Sequence, residues 1–326
     1  MLKHLFLIVF AGSLLTSSCQ SGKNSKPPKE DWWFWDVAYS PDASQIAMGG
    51  TQDTLRIYSV GEKTLRNIPA TGTITKIKWH PSGDRIAVAM QNSVQPSRIY
   101  FPSTEKTILL DSLDLTGARG IEWNYDGSLL ATGDYSGNIN IFDVDGKWLR
   151  MIKTKTKSVT DLDWHPTENK LVTVGEKICI YDYEQDSVYS FEDRDEDVLM
   201  LSVAWHPSGE FFSTGDYGDY DYDYPPLLQF WDINGTRLCK SYDNENLAEL
   251  RNLDWSPDGE LLASASDQVR IWWYQDCTRF GEQTVGKLLW GVNWHPDGHQ
   301  LVITDEKGGV WIVSREMSVT DDIVYW

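Results

Sequence analysis

Cysteine is scarce in this chain, with 4 in 326 residues, and histidine nearly so, with 6. No two cysteines stand as C-x-x-C and none has a histidine neighbour, so the spacing of a zinc site is missing. G-x-S-x-G, H-E-x-x-H and the glycine-rich phosphate loop are also absent. The sequence thus offers no nucleophile with its base, no metal centre and no cofactor motif, and it points away from catalysis. A membrane-spanning run is lacking as well. The apolar stretch Leu5 to Leu15 has 11 residues, against the roughly 20 that cross a bilayer. Positive charge is in short supply: 29 Lys and Arg face 48 Asp and Glu, for a net charge of −19. Such a body repels nucleic acid and anionic headgroups and favours basic partners or cations.

What is present begins at the N-terminus. Lys3 precedes the apolar stretch, and Thr16-Ser17-Ser18 leads from it into Cys19. A basic start, a short apolar core and small residues before a cut describe an export signal. The Cys at the cut resembles the lipobox of bacterial lipoproteins, with Thr16 where that box prefers Leu. The resemblance implies that residues 1–18 are a signal peptide and that Cys19 is lipidated and becomes the mature N-terminus. The acyl chains would anchor the protein to a membrane surface. Gln20 after Cys19, rather than Asp, favours the outer over the inner membrane of a bacterial envelope. Ser21 to Glu30 is polar and holds Pro27-Pro28, so residues 19–30 read as a flexible tether. Without residues 1–18, which carry only Lys3 as a charge, the net charge becomes −20.

The remaining residues, 31–326, are organised by repetition. An alternating apolar run, an aromatic and a turn recur seven times. The aromatics are Tyr39, Trp79, Trp123, Trp164, Trp205, Trp255 and Trp294, at intervals of 40, 44, 41, 41, 50 and 39 residues. Trp79-His80-Pro81-Ser82-Gly83 and Trp294-His295-Pro296-Asp297-Gly298 show the turn most fully. Pro presets φ, Ser or Asp suits the next position, and Gly accepts the left-handed conformation after it. Each turn joins two antiparallel strands. A third strand follows, rich in Ile and aromatics, as in Arg98-Ile99-Tyr100 or Phe230-Trp231-Asp232, and a weaker fourth closes the unit. Four short strands per unit predict an all-β chain of seven four-stranded antiparallel blades.

Leu250 to Trp272 (LRNLDWSPDGELLASASDQVRIW) resembles a WD40 repeat, with weaker copies over Trp32 to Trp326. The resemblance implies a seven-bladed β-propeller that binds other proteins. Only Trp231-Asp232 is a literal WD dipeptide in a third strand, and the family's Gly-His pair is missing. The Asp–His–Ser/Thr–Trp hydrogen-bond network common in the family is therefore expected to be absent. Residues 20–30 do not read as a strand, so closure is expected from blade one packing on blade seven without strand exchange. Asp322 to Trp326 (DIVYW) is the candidate outer strand of blade seven.

Candidate sites follow from the register. His80, His165, His206 and His295 share one turn position, which suits capping or packing rather than a shared metal. Residues opening the innermost strands line the channel mouth: Trp33, Trp35, Thr75, Arg119, Thr160, Arg251 and Trp290. The three tryptophans either contact a partner or fill gaps between blades; Arg119 and Arg251 either touch a ligand or pair with acids. The long 50-residue interval contains Asp216 to Pro226 (DYGDYDYDYPP), whose Tyr217, Tyr220 and Tyr222 suit a partner contact. It lacks the Gly and Glu that an EF-hand loop needs at positions six and twelve. Cys239 and Cys277 could pair in an oxidising envelope, and Cys179 reads as a buried thiol. The expected function is a non-catalytic protein-binding scaffold of the cell envelope. Glycan or peptide capture at the surface is the alternative, and a propeller enzyme the third reading.

Overall fold

The terminal aromatics of the seven repeats each end a strand that lies innermost in its sheet. These inner strands are Phe34–Tyr39, Thr73–Trp79, Ala118–Trp123, Asp161–Trp164, Met200–Trp205, Asn252–Trp255 and Leu289–Trp294. A computed structural model describes residues 33–91, 97–110, 117–191, 198–218, 224–241 and 247–323. Cys19, the proposed signal and tether, Tyr220 and Tyr222 lie outside the described residues. Among those described, 28 strands form seven four-stranded antiparallel sheets, each from four consecutive strands.

Seven hydrophobic cores hold this arrangement, and each lies between two blades rather than inside one. One joins Ala47 and Ile57 of blade one to Ile74, Ile77 and Val88 of blade two. The last joins Val302, Val310 and Ile312 of blade seven to Phe34, Val37, Ile46 and Met48 of blade one. The period of two along a strand makes this possible. In the second strand Gln45–Gly50, Ala47 faces blade two while Ile46 and Met48 face blade seven. Both faces of the middle strands are therefore covered, which is why they read as nearly continuous apolar runs such as Leu261–Ala265.

Blades one and seven pack against each other through a shared apolar core, and among the described residues each sheet is built from its own four consecutive strands. The outer strand of blade seven is a correction: it is Val319–Asp322 rather than 322–326. A tight turn after the third strand, with Met317 N–H donating to the Ser314 carbonyl, brings the chain back early. Trp311 then pairs with Asp322 and Ile312 with Asp321. Residues 324–326 lie outside the described residues.

A second correction concerns the family's network. Its Trp-to-hydroxyl leg survives in two blades: the Trp231 indole donates to Thr214 Oγ1 at 3.0 Å, and Trp272 to Ser264 Oγ at 2.9 Å. These hydroxyls lie two residues along the second strand from the tryptophans' direct partners, Phe212 and Leu262, so the leg needs only the strand register and not the Gly-His pair.

Polar ties link the blades in a repeating way. The indole N–H of the aromatic ending one inner strand donates to a carbonyl of the preceding blade. Trp79 reaches Ala38 at 3.2 Å, Trp164 reaches Glu122 at 3.1 Å, and Trp205 reaches Asp163 at 3.1 Å. Trp255 reaches Ala204 at 3.3 Å and Trp294 reaches Asp254 at 3.1 Å. At the same end of the inner strands, the turn histidines clamp forward. Nε2 of His80, His165 and His206 meets the carbonyls of Gly127, Gly209 and Gly259 in the next blade, at 3.1, 3.0 and 2.8 Å. In each ring Nδ1 accepts a backbone N–H, from Ser82, Thr167 and Ser208 respectively. Nε2 therefore carries the proton, and all three rings are neutral. Burial holds their pKa values below the usual histidine range. The contact also explains a glycine: a Cβ at Gly127 would sit 2.1 Å from His80 Nε2, at a φ of +74°.

One disulfide, Cys239–Cys277, staples the outer strand of blade five to the outer turn of blade six. Cys179 is free and buried.

These ties predict a contrast between two buried tryptophans. Trp123 Nε1 has no acceptor, whereas Trp205 Nε1 has one. Trp205→Phe should therefore cost about 1 kcal/mol more than Trp123→Phe, beyond the ring atoms both lose. Urea unfolding of the two variants measures this, and equal losses would remove the indole tie from the account.

Candidate partner-binding mouth

The start of every inner strand lies on the face opposite the His-Pro turns, because all seven inner strands run the same way along the channel. Here the strands share a local irregularity. Pairing with the second strand skips from Phe34 to Asp36, from Ile74 to Lys76, from Ala118 to Gly120, from Met200 to Ser202 and from Leu289 to Gly291. The extra residues are Trp35, Thr75, Arg119, Leu201 and Trp290. A bulge re-aims the side chain of the residue it inserts, so four of the mouth residues expected from the register are bulge residues.

The aromatic ones converge. Trp35 stacks on Trp290 with centroids 4.7 Å apart and planes 21° apart, and Trp33 lies 6.0 Å from Trp290. The Arg251 guanidinium sits 3.7 Å from the Trp290 centroid. Two flat groups this close to one ring cannot share a face without overlapping, so Trp290 is held between Trp35 and Arg251. Arg251 also pairs with Glu249 at 3.1 Å, and the exposed Tyr217 phenol lies near the same carboxylate, whose charge adds to burial in raising its pKa. The Tyr135 phenol donates to Gln91, and the nearby Arg119 charge opposes the rise that burial gives its pKa. Burial lowers the Arg251 pKa, Glu249 offsets this, and the nearby positive charge of Arg119 adds to it.

The structure thus brings together Trp33, Trp35, Trp290, Arg251, Arg119 and Tyr217. Thr75 and Thr160 play a different part. Their hydroxyls donate inward to the Ala118 and Met200 carbonyls of the next blades. Glu249, Tyr135 and Gln91 escaped the sequence reading, which followed inner-strand starts only. Tyr135 and Gln91 follow or end second strands that reach the same face, and continuing the register through those strands finds them. Glu249 is paired with Arg251 two residues later, a spacing that gives no signal until the chain is folded.

Below the mouth the channel is bridged by buried polar groups. Asn252 donates to Asp36 at 2.7 Å and accepts from Lys76 at 3.0 Å, and Lys76 pairs with Asp161 at 3.2 Å. This chain of contacts joins blades one, six, two and four. Carboxylates here also hold the next blade's backbone. Asp36 accepts from Ile77 N–H at 2.7 Å, Asp163 from Trp205 at 2.6 Å and Asp254 from Trp294 at 2.6 Å. At the closing seam Asn293 does the same for Tyr39, at 2.8 Å. Lys78 pairs with Glu122 and faces Asp163 and Asp254 as well. With one ammonium among three acids, burial and then the Glu122 charge push Asp163 up to about 8. Burial raises Asp254 to about 6. Among the described residues, no three His, Cys, Asp or Glu are grouped to hold a metal ion.

Comparison with known proteins agrees with the fold. Residues 237–272 match the family model described as WD domain, G-beta repeat, and residues 37–177 match that of eukaryotic translation initiation factor eIF2A. The chain is 26% identical over 186 residues to the intraflagellar transport protein 80 homolog of Mus musculus, covering 55% of this chain and 22% of that protein. It is 23% identical over 280 residues to actin-related protein 2/3 complex subunit 1A of Arabidopsis thaliana, covering 74% and 73%. The chain spans about a fifth of the first of these relatives. A chain in the crystal structure of the mitotic checkpoint complex superposes with a TM-score of 0.73 at 16% identity, over 94% of this chain and 98% of that one. That likeness carries the propeller fold alone.

The channel predicts a pH-dependent variant. Asp163 is protonated up to about pH 8 in the folded state, whereas an unfolded Asp titrates near 3.9. Between these values the folded state binds the extra proton, so the wild-type chain loses stability as pH rises. Asp163→Asn keeps an oxygen for the Trp205 amide and removes the ionisation. Its stability relative to wild type should climb by at least about 1 kcal/mol between pH 5 and pH 9. Urea titrations at the two pH values measure it; a constant difference would contradict the buried proton.

Proposed function

We propose that this chain is a non-catalytic binding scaffold that takes a protein partner at the channel mouth. The observation that carries this reading is the use of the inner-strand bulges. They spend backbone regularity on presenting Trp35, Arg119 and Trp290 at one opening, where packing between blades does not require them. Aromatic and Arg side chains are those that most often anchor protein interfaces. One of the relatives supports the same reading at a coarser level, since it is named as a subunit of a multiprotein complex. Glycan capture fits less well, because both faces of Trp290 are already covered and a sugar ring needs a free one.

The Cys239–Cys277 pair supports a compartment that is not reducing, where such bonds persist. With the export-like N-terminus, this favours a scaffold held outside the cytosol through a lipid on Cys19, in the cell envelope.

Site-specific photo-crosslinking tests the docking face. A benzophenone amino acid at Tyr217, beside the mouth, should give discrete protein adducts in the native cell. The same group at Tyr125, an exposed residue on the opposite face, should give none. Adducts from Tyr125 with none from Tyr217 would sink the proposal.

A further inference from the structure

The body is strongly acidic, yet among the described residues the charged groups that meet around Arg251 at the mouth are two guanidiniums, Arg119 and Arg251, and one carboxylate, Glu249. Glu249 is already paired with Arg251, and the ring of Trp290 covers one face of the Arg251 guanidinium. Stacking of this kind leaves the in-plane N–H groups of a guanidinium as its remaining donors.

Two further donors stand in the same cluster without acceptors. Trp35 Nε1 and Trp290 Nε1 are removed from solvent and have no hydrogen-bond partner. Trp290 is 9% exposed. Elsewhere in this fold five buried indoles find a carbonyl of the neighbouring blade and Trp123 alone among the inner-strand end tryptophans does not, whereas at the mouth two stacked indoles both lack an acceptor. A buried donor left unsatisfied costs on the order of 1–3 kcal/mol, which an incoming oxygen recovers. Among the described residues, the carboxylate at this spot is already paired with Arg251, and Arg251 and Trp35 cover the faces of the Trp290 indole.

We propose that the mouth takes an acidic segment of a partner protein. Arg119 and Arg251 hold its carboxylates, while the indole N–H groups of Trp35 and Trp290 donate to its oxygens. This rests on the reading of the mouth as the docking face and adds the chemistry of what docks. It also reverses the sign that the net charge alone suggests, because a ligand at 3–4 Å answers to the groups it touches more than to a screened distant field.

The test uses the full chain with two fluorescent peptides, one glutamate-rich and one identical except that every glutamate is lysine. The glutamate peptide should bind at least tenfold tighter by fluorescence anisotropy, and the preference should shrink as salt rises. Arg119→Gln with Arg251→Gln should weaken it at least tenfold, and Arg119→Glu with Arg251→Glu should turn the preference toward the lysine peptide. Arg251→Lys, which keeps the charge, should retain most of the binding. Circular dichroism and urea midpoints check that each variant folds, and Arg119→Gln alone carries the test should Arg251 variants unfold. In wild type, the indole N–H resonances of Trp35 and Trp290 should shift on adding the glutamate peptide. Preference for the lysine peptide, absence of glutamate-peptide binding, or indifference to both arginines would overturn the proposal. Crosslinks at Tyr217 in the face of any of these results would leave the docking face standing and remove only its acidic partner.

Discussion

The aromatic that ends each inner strand does more than fill space; it fixes where the next blade sits. Its ring fills the wedge between two sheets and, at five seams, its indole N–H reaches the preceding blade's backbone. The residue just before it sends a side chain in the opposite direction, as Asp163, Asp254 and Asn293 do, to hold the next blade's amide. The seams between blades four and five and between blades six and seven are thus tied in both directions. No sheet has a complete core of its own, since every apolar cluster draws on two neighbours. Stability is therefore a property of the closed ring, as expected for repeats that bury their faces only against one another.

Placing the ties at the aromatic end of the inner strand leaves the other end free for a different task. At the mouth the strands bulge, and the inserted residues belong to neither neighbouring core. Trp35, Arg119 and Trp290 project there over a channel closed off beneath by the Asp36–Asn252–Lys76–Asp161 contacts. The mouth's polar groups are arranged by the ring around them, so a ligand meets side chains already in place.

Much of the ring was legible because its determinants are local and periodic. The Trp-His-Pro-x-Gly turn identifies itself, since Pro and Gly each answer to a backbone angle. The glycine also turned out to answer to a histidine in the previous blade, which one repeat read alone does not reveal. The mouth was legible only in part. Register placed Trp35, Arg119, Arg251 and Trp290 at one end of their strands, but the bulges that aim three of them leave no mark in composition. Nor does the order of residues show that Arg251 would cover Trp290 while pairing with Glu249. The outer strand of blade seven was placed too late because apolar content pointed to 322–326, whereas the tight turn after Ser314 set the start. The surviving Trp231 and Trp272 contacts were missed because the network was judged by its most recognisable residue, the histidine, and not by its hydroxyls.

The seam where the chain's two ends meet is the severest test of closure by side-chain ties. It has no covalent continuity, and Asn293 replaces the carboxylate used at the neighbouring seams. Native-state hydrogen exchange of the Tyr39 amide measures that seam directly. The ring described here predicts that Tyr39 exchanges only with global unfolding, as slowly as Trp205 and Trp294. Exchange of Tyr39 through a local opening, orders of magnitude faster than those two, would show that blades one and seven merely abut and that the ring is not closed by the ties that define its other seams.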